Sequence, residues 1–172
     1  EEAARFAVPK RGTIIRRLLQ ADAEQARELL RKVELDSRPD DLRGPARAER
    51  GFEESRTLFD FLASNSFWFL AAERQGELVG YTTAARIPKA SSLMGTLYID
   101  ELHVLGPHRR CGIGSALVRE VHRIAKDLGY WRVRLVADQF DPGIRRFYES
   151  LGFRDQNDGF FQREVRWERE PG

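Results

Sequence analysis

The chain has 172 residues, 41% hydrophobic and 33% charged, which suits one globular domain with a sizeable core. No apolar run approaches the roughly 18 residues of a membrane span, and a single cysteine, Cys111, excludes an internal disulfide. The net charge is +2, with arginines interleaved among Asp and Glu along the whole chain, so no basic nucleic-acid face is expected.

Three histidines and one cysteine without ligand spacing give no metal site. The first residues are polar and lack the apolar core of a signal peptide; with the lone cysteine, this points to a cytoplasmic protein. No Met opens the chain, so a trimmed terminus is expected. Residues 1–11 read as an N-terminal extension and 12–172 as the domain.

Thr13 to Leu19 reads as a first strand, and a helix follows from Ala21 to about Val33. Asp22 is its candidate N-cap, and Ala26, Leu29, Leu30 and Val33 share one face. Residues 34–50 hold three aspartates, two prolines and four arginines, which is loop chemistry. A second helix is expected from Phe52 to Ala63 with Leu58, Phe59 and Leu62 buried. Phe67–Glu73 and Glu77–Ala85 form a hairpin around Gln75-Gly76. A loop from Ile87 to Gly95 leads to a strand over Leu97–Val104.

A helix from Ala116 to Leu128 follows, striped by Leu117, Val121, Ile124 and Leu128. A strand over Trp131–Ala137 then precedes a short helix from Pro142 to Ser150, which Gly152 closes. A last hairpin pairs Phe153–Arg154 with Phe160–Arg166.

Between the strand ending at Val104 and the next helix lies Arg109-Arg110-Cys111-Gly112-Ile113-Gly114-Ser115. Its two glycines permit a tight turn that presents backbone N–H groups without a Cβ in the way. The helix N-terminus adds unpaired N–H groups and about half a positive charge, so the stretch is a cradle for a phosphate or pyrophosphate. Arg109 and Arg110 bring side-chain charge to the same place. A Walker A loop is excluded because no lysine follows Gly114. A dinucleotide fingerprint fits poorly, because Leu117 stands where a third glycine is needed and Gly112 is far from the strand.

Arg109, Gly112 and Gly114 do satisfy R/Q-x-x-G-x-G/A, a pattern that resembles the coenzyme A loop of the GNAT superfamily of acetyl-CoA-dependent N-acetyltransferases. The element order β-α-α-β-β-β-α-β-α-β-β is similar to that family's, and Tyr148 to Phe153 looks like its Y-x-x-x-G-F segment. The resemblance spans roughly residues 12–166. It implies a single-domain α+β (α/β) fold, with a mixed central sheet of about seven strands flanked by about four helices. Acetyl-CoA is then the expected cosubstrate. By resemblance, backbone groups at Leu102 and Val104 bond the pantetheine arm, and His103 lies between them. Arg109, Arg110, Cys111, Gly112, Ile113, Gly114 and Ser115 hold the pyrophosphate. Asp141 stands where relatives carry an asparagine; an ionised Asp only accepts hydrogen bonds, so Asp141 is either a cofactor contact or the cap of the helix at Pro142.

Forming an amide from a thioester requires an amine without its proton, a stabilised oxyanion and a protonated or tolerated thiolate. An alkyl amine of pKa about 10.4 is only about one part in a thousand neutral at pH 7, a cost of about 4 kcal/mol. Tyr148 is the candidate general acid, in the position the family gives to the residue beside the sulfur. Asp100 and Glu101 are the candidate bases. Strict alternation would send them to opposite faces and put Tyr98, Asp100, Leu102 and Val104 together, which favours Asp100 toward the cleft unless a β-bulge re-aims the strand. His103 is the weaker base candidate. Cys111 is either a reactive thiol activated by the positive cradle or an inert one beneath the loop.

The function expected is acetyl transfer to a primary amine on a small molecule or peptide; the sequence leaves room for a homodimer. Local text, Leu97–Val104 with Pro107-His108-Arg109-Arg110 and Ala137-Asp138, looks like aminoglycoside 3-N-acetyltransferases. An acidic acceptor wall could draw on Asp40, Asp41, Asp100, Glu101, Asp155 and Asp158, although four arginines in 34–50 weigh against one. The alternative is a non-catalytic acyl-CoA-binding regulatory domain.

Overall fold

The computed structural model describes residues 12–37, 57–92, 94–138 and 140–156. Its elements run β1 (Thr13–Arg17), α1 (Ala23–Ser37), α2 (Thr57–Ala63), β2 (Phe67–Arg74), β3 (Glu77–Lys89), β4 (Met94–Val104), α3 (Ile113–Asp127), β5 (Arg132–Leu135) and α4 (Pro142–Ser150). The described part forms a five-stranded mixed sheet in the order β1-β2-β3-β4-β5, antiparallel except for the parallel β4–β5 pair. Phe153 and Arg154 are irregular, and the partner strand expected over 160–166 lies outside the described residues, as does the 1–11 extension.

The β2–β3 hairpin turns on Gln75 (φ 53°) and Gly76 (φ 81°), the paired left-handed conformations a tight two-residue turn requires. Both flanking strands are longer than expected. β3 runs on to Lys89 and β4 begins at Met94, so the expected 87–95 loop shrinks to a short helical turn at Ala90–Ser92. Cross-strand pairing, including Pro88 opposite Gly95, carries the chain through residues whose composition signals a turn.

One core lies beneath α3, where Leu97, Ile99, Leu117 and Val121 are fully buried with Trp68 and Leu70. Each such side chain contributes about 1.5–3 kcal/mol through removal from water. α3 starts at Ile113 rather than Ala116. Its buried stripe is Ile113, Leu117, Val118, Val121 and Ala125, while Leu128 caps the helix and is exposed. The second core, on the other face of the sheet, joins Leu18, Ala26, Leu29, Val33 and Leu62 to Phe69 and Tyr81.

Within α2, Leu62 is buried and Leu58 partly so, but Phe59 is exposed, contrary to expectation, because the short helix turns only one edge to the sheet. Asp22 does not cap forward into α1. Its carboxylate reaches back to the Leu19 N–H (2.8 Å) and pairs with Arg16 (2.9 Å).

Candidate active site

The strand that carries the two candidate bases is irregular where they sit. Thr83 of β3 pairs with Glu101 while its neighbour Ala84 pairs with Ile99, so Asp100 is the extra residue of a β-bulge. The bulge resets the alternation. Leu97 and Ile99 face α3 before it, and Leu102 and Val104 do so after it. The expected grouping of Tyr98 and Asp100 with Leu102 and Val104 is therefore corrected: past the bulge, Glu101 and His103 turn to the α1 side.

Pairing of β4 with β5 covers only Thr96–Ile99 against Arg132–Leu135. From Asp100 to Val104, β4 thus has no β5 neighbour among the described residues, and this unpaired edge is the candidate slot. The cradle closes its end. Arg110 (φ 59°) and Gly112 (φ 77°) both take left-handed backbone, and Gly112 caps α3. Because α3 begins at Ile113, the N–H groups of Ile113, Gly114 and Ser115 have no acceptor within the helix. A Cβ on Gly114 would stand in ordinary contact, 3.4 Å from the Phe147 ring and 3.9 Å from a Val104 methyl, so the helix start lies against α4 and β4. This donor set, carried by the backbone at a helix N-terminus, fits a pyrophosphate.

Arg109 does not add its charge to the cradle as expected. Its Nε donates to the Val104 carbonyl (2.8 Å) and its Nη2 to Asp36 Oδ2 (2.6 Å). Arg110 is exposed and makes no ion pair among the described residues. Cys111 is half-buried against the α3-side core. Asp141 caps α4: one carboxylate oxygen accepts from Gly143 N–H (2.7 Å) and Ile144 N–H (3.1 Å).

Tyr148 projects from α4 into the α3-side core, edge-on to Phe147 (4.9 Å between ring centres) and Phe153 (5.6 Å). Burial raises its phenol above the ordinary value of 10, so it stays protonated at neutral pH. On the opposite face, Glu101 is exposed as a residue, while Tyr81, Thr83 and Asp100 stand beside its carboxylate and displace part of its hydration. The Tyr81 hydroxyl, itself buried and pushed further up by burial and by Glu101, donates to that carboxylate; Thr83 Oγ1 lies 3.4 Å from it. Loss of hydration, reinforced by the Asp100 charge, raises the Glu101 carboxyl above its ordinary 4.5, although the Thr83 and Tyr81 bonds and His103 pull the other way. Such a carboxylate is a better base than a solvated one.

Nothing in the sequence alone singles out Tyr81, Thr83 or Asp36. The first two look like ordinary strand positions until β3 is registered against β4. Of the expected acidic wall, Asp100 and Glu101 are together and Glu34 adds charge near Tyr81. Asp155 instead pairs with Arg145 (3.5 Å), and Asp40, Asp41 and Asp158 lie outside the described residues. A recess of about 420 Å3 bounded by Arg86, Lys89, Met94, Gly95 and Tyr130 sits at the far ends of β4 and α3. No carboxylate lines it, so it is not a place where an amine would lose a proton.

Residues 35–153 match the Acetyltransferase (GNAT) family. N-acetyltransferase 8 of Rattus norvegicus is 34% identical over 100 residues, 58% of this chain and 45% of that protein; the Mus musculus protein of the same name is 37% identical over 101 residues, 58% and 44%. The chain thus spans under half the length of these curated relatives.

Among solved structures, an aminoglycoside acetyltransferase from an uncultured soil metagenomic sample, in complex with trehalose, superposes with a TM-score of 0.74 at 23% identity, covering 91% of this chain and 99% of that one. The ribosomal-protein-alanine N-acetyltransferase from Brucella melitensis biovar Abortus 2308 gives 0.65 at 20%, covering 88% and 99%. At these identities the likeness shows the fold alone. Fold and family match agree: the chain belongs to the Acetyltransferase (GNAT) family.

Proposed function

We propose that the protein transfers acetyl from acetyl-CoA to a primary amine that approaches from the α1 side of the sheet, with Glu101 as general base and Tyr148 as general acid. The observation that carries this reading is the bulge at Asp100. It turns Glu101, a carboxyl held above its ordinary range, to the edge of the slot, while Tyr148 packs on the opposite face. The coenzyme supplies the thioester. The backbone N–H groups of Ile113 to Ser115 hold its pyrophosphate, and the open edge of β4 from Asp100 to Val104 binds its arm. Glu101 takes the proton of the incoming ammonium, and Tyr148 donates one to the departing sulfur. Asp100 lies beside Glu101 and keeps it basic rather than acting in its place.

The carboxylates at the bulge suit a cationic acceptor, which includes aminoglycosides, other small polyamines and peptide amines. The aminoglycoside acetyltransferases among the structural neighbours make the first of these a natural starting panel. Thiol release from acetyl-CoA against such a panel tests the reading. We expect turnover with at least one cationic amine, and Gly114→Val to abolish it. Coenzyme A binding without turnover of any amine would favour the non-catalytic alternative.

A further inference from the structure

We propose that Asp36 is a positioning residue for the coenzyme, holding the cradle in register with β4 from the last turn of α1. The proposal rests on reading Gly112 to Ser115 as the coenzyme cradle. Three segments converge on this one carboxylate. Oδ1 accepts from the Gly106 N–H (3.1 Å), and Oδ2 accepts from Arg109 Nη2 (2.6 Å) and lies 3.2 Å from His103 Nε2. Arg109 in turn donates to the carbonyl of Val104, the last residue of β4. The approach at Gly106 is so close that a Cβ there would come within 2.9 Å of Oδ1. The clamp therefore fixes the chain at 103, 104, 106 and 109, immediately before the left-handed turn at Arg110–Gly112 that aims the cradle donors.

Electrostatics alone argues against a carboxylate here. An anion next to an anion-binding loop repels the ligand, and it also neutralises the arginine that would attract it. Burial opposes the Asp36 charge as well, yet the Gly106 N–H, His103 and Arg109 together outweigh it and hold the carboxyl below its ordinary value. The group is kept ionised where its field is adverse to the ligand, so its contribution is geometric. Positioning and field make opposite predictions for its removal. If field dominates, Asp36→Asn tightens coenzyme binding; if positioning dominates, it weakens it.

The test is titration calorimetry with coenzyme A on wild type, Asp36→Asn, Arg109→Lys and the double variant, alongside their melting temperatures. Arg109→Lys keeps the charge but loses the fork that spans Val104 and Asp36, so it probes the same clamp should Asp36→Asn fail to fold. We expect Kd to rise about tenfold or more in each single variant, as for loss of a charged hydrogen bond. The double variant should be little worse than either single, since both break one unit. In Asp36→Asn, KM for acetyl-CoA should rise in step, with kcat and the amine KM within about twofold of wild type. Unchanged or tighter coenzyme A binding in folded Asp36→Asn or Arg109→Lys would overturn the proposal while leaving the cradle reading intact. Absence of binding by wild type would remove the cradle reading, and the proposal with it.

Discussion

Glu101 and Tyr148 lie on opposite faces of the sheet, and both are held above their ordinary values, Glu101 by partial loss of hydration and the Asp100 charge and Tyr148 by burial, so one is a stronger base and the other stays protonated at neutral pH. Tyr148→Phe keeps the ring against Phe147 and Phe153 and removes only the hydroxyl. We expect kcat to fall about 10²–10⁴-fold with coenzyme A affinity unchanged; a loss below about threefold would return Tyr148 to packing. Glu101 carries a second, opposite signature. Its folded value lies above the unfolded one, so the folded state binds more protons, and stability falls as pH rises from the ordinary carboxyl range through the raised value. Glu101→Gln should therefore melt higher than wild type at pH 7, and the gain should vanish well below pH 4. A melting temperature that drops at pH 7 would show that the Glu101 charge is not disfavoured in the fold. At Cys111 we expect coenzyme A to slow iodoacetamide labelling, and Cys111→Ser to retain activity because the cradle uses backbone donors. Labelling indifferent to coenzyme A would place the sulfur outside the site.

At the scale of elements, β3 and β4 must approach closely to make the bulge and the slot, and Gly80 shows how closely. A Cβ there would stand 2.8 Å from the His103 carbonyl oxygen, a backbone atom that cannot swing away. Gly80→Ala should destabilise the fold by about 1–3 kcal/mol, readable in urea unfolding, by prying β3 from the end of β4; a neutral substitution would mean that the strands have room to spare. The hairpin and α4 are legible in the sequence because their signals are local: Gln75-Gly76 at a turn, Asp141-Pro142 at a helix start, Gly152 at its end. The bulge is not, because it exists only in the register of two strands, and Asp100-Glu101 reads identically with or without it. The 87–95 stretch misleads for the same reason: its proline and serines are real turn formers, but pairing between β3 and β4 outweighs them.

For the whole molecule, the sheet divides an α3-side core that packs on Tyr148 from an α1-side core that includes Tyr81, and among the described residues β4 has no β5 neighbour beyond Ile99. The family pattern in the sequence reaches the first side well, because its motif is contiguous. It leaves the second side largely dark. Tyr81, Thr83 and Asp36 act through partners between 18 and 73 residues away. Removal of the amine proton by Glu101 at the bulge is the step on which the proposed reaction turns. The most direct measurement is the ratio of wild-type to Glu101→Gln kcat/KM for one primary amine as a function of pH. At pH 7, where about one part in a thousand of that amine is neutral, the ratio should be about 10²–10⁴. It should fall toward unity as pH approaches the amine's own pKa and the base becomes unnecessary. A ratio near one at pH 7, or a large ratio that does not change with pH, would contradict the claim.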